Sequence, residues 1–185
     1  MDASLADVVA SLRAGGVVAY PTEAVYGLGC DPGNQNAFER LFAIKRRPPT
    51  QGVLLIAADF ADLAPFIDGS AVPPASMARA GATWPGPHTW IFPRSAAAPA
   101  WLAGAHAGIA VRVTAHASAA ALCRAFGGAL VSTSANRHGE PPARTADEVQ
   151  VLFGDEIDAI LNGVTGGLER PTPIRDAISG ASVRS

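Results

Sequence analysis

Lys45 stands one residue from Arg47 in the run Lys45-Arg46-Arg47-Pro48-Pro49, and it is the chain's single lysine beside thirteen arginines. A compact ammonium next to a forked guanidinium suits several phosphate or carboxylate oxygens at once. Pro48 disfavours helical geometry at Arg47. A locally extended backbone there predicts Lys45 and Arg47 on one side, Arg46 turned to solvent, and Gln51 close enough to add an amide. The plainer alternative is a helix ending with favourable positive charge at its C-terminus.

Two further segments pass the same test of residue type against spacing. In Val131-Ser132-Thr133-Ser134-Ala135-Asn136, strand alternation projects Ser132, Ser134 and Asn136 to one side. Such a row makes a hydrogen-bonding edge at the C-terminal end of a strand, where ligands of open α/β sheets collect; a simple turn is the alternative. In Gly108-Ile109-Ala110-Val111-Arg112-Val113, the apolar face is Ile109, Val111 and Val113, and the other face is Gly108, Ala110 and Arg112. A buried arginine needs an anionic or polar partner, either an internal acid or a bound carboxylate. The stretch Pro21 to Gly29 reads as a glycine-punctuated loop carrying Thr22, Glu23 and Tyr26. There is no G-x-x-x-x-G-K-[ST] phosphate loop, and no Ser/His/acid or Cys/His pairing stands out.

The elements that must position these groups follow from periodicity. Helices are predicted from Leu5, Val8, Val9 and Leu12, from Phe38, Leu41 and Phe42, from Asp59, from Pro73-Pro74 towards Trp84, from His116 to Phe126, and from the capping box Thr145-Ala146-Asp147-Glu148. Strands are predicted at Val17–Tyr20 (stopped by Pro21), Val53–Ala57, His88–Pro93, Ile109–Val113 and Ala129–Ser134, with weaker ones at Asp158–Leu161 and Ile174–Ile178. Their mixture without strict alternation predicts an α/β fold with one twisted mixed sheet, residues 1–185 forming a single domain.

At 185 residues, 49% hydrophobic and 16% charged, the chain has the composition of a globular domain with a full core. The apolar stretches are too short to span a bilayer, and the first fifteen residues lack a signal-peptide pattern, so a cytoplasmic location is expected. Cys30 and Cys123 read as buried thiols, and four scattered histidines predict no metal site. A net charge of −2 argues against a protein coated in basic surface, while leaving room for a local basic concavity.

Taken together, the segments Ala19 to Gly29, Ile44 to Pro48, Trp84 to Pro87, Ala110 to Val113 and Ser132 to Asn136 resemble the threonylcarbamoyl-AMP synthase family, the YrdC-like domain. The tail Pro173-Ile174-Arg175-Asp176-Ala177 looks like the short bacterial form. The resemblance implies a twisted sheet around a large, positively charged cavity. It implies that ATP, L-threonine and bicarbonate (or CO2) are substrates, with Mg2+ accompanying ATP. The product, threonylcarbamoyl-AMP, would pass to other proteins that modify tRNA, and tRNA itself stands as a candidate partner. Lys45, Arg47, Ser134 and Asn136 match the residues that hold the phosphates and the adenylate, with Gln51 aligned less securely. Thr22, Arg112, Ser132 and, less securely, Thr172 match the threonine site. Two departures stand out: Ile56 replaces a histidine of longer relatives, and Gly52 replaces a common proline. The competing reading is an RNA-binding module with the same fold and no adenylating activity, for which the acidic pI and scarce aromatics are poor credentials.

Overall fold

The computed structural model describes residues 2–48 and 50–184. Among them, ten strands and five α-helices follow one another as β1 (Asp2–Ala3), α1 (Leu5–Arg13), β2 (Val18–Pro21), β3 (Tyr26–Gly29), α2 (Gln35–Lys45), β4 (Leu54–Ala57), α3 (Pro74–Gly81), β5 (Thr89–Pro93), β6 (Gly108–Val113), α4 (Ala117–Phe126), β7 (Leu130–Ser134), α5 (Ala146–Phe153), β8 (Ala159–Leu161), β9 (Ile174–Asp176) and β10 (Ser182–Arg184). All ten strands join one mixed sheet in the order β1-β8-β2-β3-β7-β4-β6-β5-β9-β10.

The helices start where local chemistry says they should. Ser4 and Asp7 cap each other's backbone at the head of α1, and Thr145 with Glu148 does the same for α5. Val8, Val9 and Leu12 of α1 pack with Ala119, Ala120, Leu122 and Cys123 of α4 on one face of the sheet, over Val18, Tyr20, Ile56 and Leu130. On the other face Phe38, Leu41 and Phe42 of α2 join Leu28, Leu55, Val111 and Val131. Cys30 and Cys123 are buried thiols, each pushed up to about 12 by burial.

Three local expectations are corrected. Half of the predicted loop from Pro21 to Gly29 is strand: β3 pairs antiparallel with β2 on one side and β7 on the other, and is fully buried. Its glycines give no alternation, so only tertiary pairing makes it a strand. No α-helix opens at Asp59; Phe60–Asp62, Ala64–Phe66 and Gly69–Ala71 are separate 3-10 turns. Pro65 removes an amide donor and Gly69 weakens propagation, so no ladder builds. Pro21 ends β2 from inside, paired with Tyr26, rather than stopping it from outside.

Candidate active site

One sheet face does two jobs. Ile56 lies beneath α4 and is paired with Arg112 and Leu130, whereas Leu54, two residues earlier, is paired with Ala110 and Ser132. Alternation therefore puts the packed half and an uncovered half on the same side of the sheet. The uncovered half is the floor of a cavity of about 880 Å³, with Gly27, Leu54, Ile91, Gly108, Ala110 and Ser132 among its lining. The floor crosses the C-terminal end of β7 but the N-terminal halves of β4 and β6, because β7 runs antiparallel to β4 and β4 parallel to β6.

Arg47, Arg112, Arg144 and Arg184 line the walls, with no Asp or Glu among the described lining residues. Arg47 Nε, Arg112 Nε and Thr89 Oγ1 are buried without a hydrogen-bond partner among the described residues. Buried unpaired polar atoms on residues that face a cavity mark where a ligand can supply the missing partners.

At one end, α2 and the segment after β7 clasp each other. Lys45 Nζ donates to the Ser134 and Asn136 carbonyls and, at 3.2 Å, to Asn136 Oδ1. In return His138 N donates to the Lys45 carbonyl at 2.8 Å, and Arg137 Nη1 donates to the Ile44 carbonyl at 2.7 Å. The last carbonyls of α2 are thus capped by the very segment its lysine holds. Asn136 is saturated: Oδ1 also accepts from Ser134 Oγ at 2.6 Å, while Nδ2 donates to the Arg137 and Glu140 carbonyls. Burial, and then the nearby Arg47, push the Lys45 ammonium down to about 7, against the pull of the three oxygens around it. Burial lowers Arg47 as well.

Arg47 turns towards the cavity, held by the Gly52 carbonyl at 2.6 Å and Thr133 Oγ1 at 3.4 Å. The direction of Lys45 and Arg47 has a different origin from the expected extended backbone. α2 runs through Lys45, and Arg46 then takes a left-handed conformation (φ 52°) that reverses the chain and leaves its own side chain exposed. Pro49, the second proline of the run, lies outside the described residues. The glycine at position 52 has a local reason, because a Cβ there would meet the Ala103 carbonyl at 2.8 Å.

At the other end, Arg112 is 3% exposed. Its Nη1 donates to Thr172 Oγ1 at 2.8 Å, and its Nη2 lies 3.4 Å from Glu23 Oε2. The internal acid and the open cavity are therefore not alternatives: Arg112 has Glu23 behind it and space in front. Thr22, whose Oγ1 donates to the Val25 carbonyl, and Ser132 line the same region. Arg184 Nη2 donates to the Thr172 carbonyl at 2.9 Å, and burial followed by the charge of Arg112 lowers Arg184.

Of the nine residues singled out from sequence, Thr22, Arg47, Gln51, Arg112, Ser132, Ser134 and Thr172 line the cavity. Lys45 and Asn136 do not; they sit behind Ser134 and fix its backbone. Ile56 is fully buried and does not line the cavity. Arg144, Arg184 and Thr89 line it without any motif to announce them. Arg184 arrives on an exposed edge strand, and Arg144 precedes α5, so only the assembled sheet brings either to the site.

These features define a mixed α/β protein with an arginine-lined cavity suited to an extended anionic ligand. The family model Sua5/YciO/YrdC, described as "Telomere recombination", matches residues 10–184, and the chain belongs to that family. The threonylcarbamoyl-AMP synthase of Halorhodospira halophila is 58% identical over 176 residues, covering 95% of this chain and 91% of the relative. That of Stenotrophomonas maltophilia is 52% identical over 182 residues, covering 98% of each. Among solved structures, P. abyssi Sua5 complexed with L-threonine matches at TM-score 0.87 and 30% identity, covering 93% of this chain, which spans 50% of that longer one. E. coli YciO matches at TM-score 0.82 and 25% identity, covering 98% of this chain and 90% of its own.

Proposed function

We propose that the protein is a threonylcarbamoyl-AMP synthase that converts L-threonine, bicarbonate (or CO2) and ATP to threonylcarbamoyl-AMP and pyrophosphate. The observation that carries this reading is the division of one cavity into two cationic ends. Arg47, Ser134 and Gln51 suit a triphosphate, while Arg112, with Thr22, Ser132 and Thr172 around it, suits an amino-acid carboxylate. The names of the relatives above favour this reading over an RNA-binding module.

The chemistry fits a site without a nucleophile of its own. The threonine amine adds to CO2, giving a carbamate; a carbamate oxygen attacks the α-phosphorus of ATP, and pyrophosphate leaves. Arg112 fixes the threonine carboxylate, and Arg47 steadies the phosphates, joined by the Ser134 hydroxyl once its proton turns from Asn136 Oδ1 to a phosphate oxygen. Lys45 and Asn136 hold the backbone that presents Ser134. Such transfers depend on orientation and on charges already in place. Mg2+ would come with ATP, held by phosphate oxygens and water, since the described lining offers no carboxylate. We place the enzyme in the cytoplasm, feeding proteins that transfer the threonylcarbamoyl group to tRNA; no helix among the described residues is long and apolar enough to cross a membrane.

The test is pyrophosphate release from ATP with and without L-threonine and bicarbonate, with mass identification of the short-lived adenylate. Release that ignores threonine refutes the proposal. RNA binding that falls steeply with salt and needs no threonine would favour the module instead.

A further inference from the structure

We propose that Glu23, which lies outside the cavity lining, is a positioning residue that aims Arg112 at the substrate carboxylate; the inference rests on the synthase reading above. Glu23 is a carboxylate only 6% exposed. Its Oε1 accepts from Thr114 Oγ1 at 2.7 Å and from Ala115 N at 3.3 Å. Its Oε2, 3.4 Å from Arg112 Nη2, has no hydrogen bond among the described residues. One oxygen is therefore pinned to the turn after β6, and the other faces the guanidinium, as the one acid paired with Arg112 among the described residues. Thr172 Oγ1 takes Nη1 from the other side, so the plane of Arg112 is set by two partners on two different segments.

The backbone of residues 22–23 extends this hold. Gly166 N donates to the Thr22 carbonyl at 2.9 Å and Leu168 N to the Glu23 carbonyl at 3.1 Å. The segment leading to Thr172 is thereby docked on Glu23. A Cβ at position 166 would meet the Glu23 carbonyl at 2.8 Å, so the docking requires glycine there. On the next turn His116 Nε2 lies 3.0 Å from the Val164 carbonyl, a second tie to the same segment. Glu23 thus joins the three pieces that bracket Arg112: the β2–β3 turn, the turn after β6, and the segment carrying Thr172. With its charge offset on one side, Arg112 presents its remaining donors to a single incoming carboxylate rather than to a polyphosphate.

The experiment is a steady-state comparison of wild type, Glu23→Gln and Glu23→Asp by pyrophosphate release, varying threonine and ATP separately. Glutamine cannot satisfy both sides, because its amide N–H donors would face either the Thr114 and Ala115 donors or the Arg112 guanidinium. Expected is a rise in threonine KM of about tenfold for Glu23→Gln, the scale of losing one partner of a buried charge. ATP KM should stay within about twofold, and Glu23→Asp should recover most of the loss. An unchanged or lower threonine KM in an active Glu23→Gln enzyme overturns the proposal, as does an equal rise in both KM values with no recovery in Glu23→Asp. If Glu23→Gln does not fold, Thr114→Val decides: it keeps the charge pair, leaves Oε1 held by the longer Ala115 N–H bond alone, and should raise threonine KM about threefold, whereas an unchanged value overturns the proposal. Wild-type protein that releases no pyrophosphate with threonine overturns the synthase reading itself, and this inference with it.

Discussion

The two ends of the cavity hold their cations in opposite ways. Lys45 and Arg47 are held by neutral oxygens, namely the carbonyls of Ser134, Asn136 and Gly52 and the Thr133 hydroxyl, so their positive charge is oriented without being cancelled. Arg112 has a buried carboxylate at its back. An end whose charge is uncompensated suits several phosphate oxygens, and an end whose central arginine is compensated, with Arg184 held beside it by the Thr172 carbonyl, suits a smaller anion such as a carboxylate. On the function proposed above, the molecule would sort two anions by how much of each cation it leaves unspent.

The hardest test of that contrast is Arg47→Ala, which should cut pyrophosphate release by about 100-fold or more, the scale of losing a preorganised charge-stabilising group. Lys45→Ala should fall as far in activity and also melt earlier, because it removes the one donor that ties together three oxygens of the clasp. A melting curve alongside the assay separates the two. Next comes Arg112→Ala: threonine KM should rise about 10- to 100-fold with ATP KM little changed. Leaving Glu23 buried and alone should cost about 3 kcal/mol by denaturant titration. If both arginine variants raised both KM values equally, the distinction between the ends would be gone.

A third test uses protons. Free Lys45 is pulled down to about 7 from 10.5, so between those values the unfolded chain binds more protons and stability should climb with pH. Below about 7 the cost of burying the charge is present in full. A bound polyphosphate would draw the group back up. Calorimetric titration of ATP at pH 8 in buffers of different ionisation enthalpy should therefore register proton uptake, absent in Lys45→Met. Uptake of equal size in that variant would assign the proton elsewhere. Smallest is Ser134→Ala, which removes the Oγ donor to Asn136 and should cost about 1 kcal/mol and a few-fold in activity.

How much of this was legible beforehand depended on whether the signal was local. The face shared by Gly108, Ala110 and Arg112 followed from alternation alone, and so did the inward turn of Ser132, because regular strands run through those residues. Beyond the strand the logic lapses: Asn136 follows the last residue of β7 by two positions and is taken up by the clasp instead of the cavity. Arg46 shows the same limit at a helix end, where a left-handed residue that is not glycine reverses the chain. The glycine-rich β3 depends on β7, a partner over a hundred residues away that no window of residues contains, and the edge strand carrying Arg184, though paired locally with β9, reaches the cavity only because β9 is itself docked on β5.

The reciprocal clasp between α2 and the stretch after β7 also bears on how substrates come and go. His138, Arg137 and Lys45 lock the two pieces from both directions, so neither can swing without breaking the other's caps. No such clasp is seen among the described residues at the rim where exposed β10 supplies Val183 and Arg184 to the wall, so breathing is expected there. Hydrogen exchange should accordingly find the amides of Arg47 and His138 slow and those of residues 182–184 fast, with traffic through the cavity passing on the side of the tail.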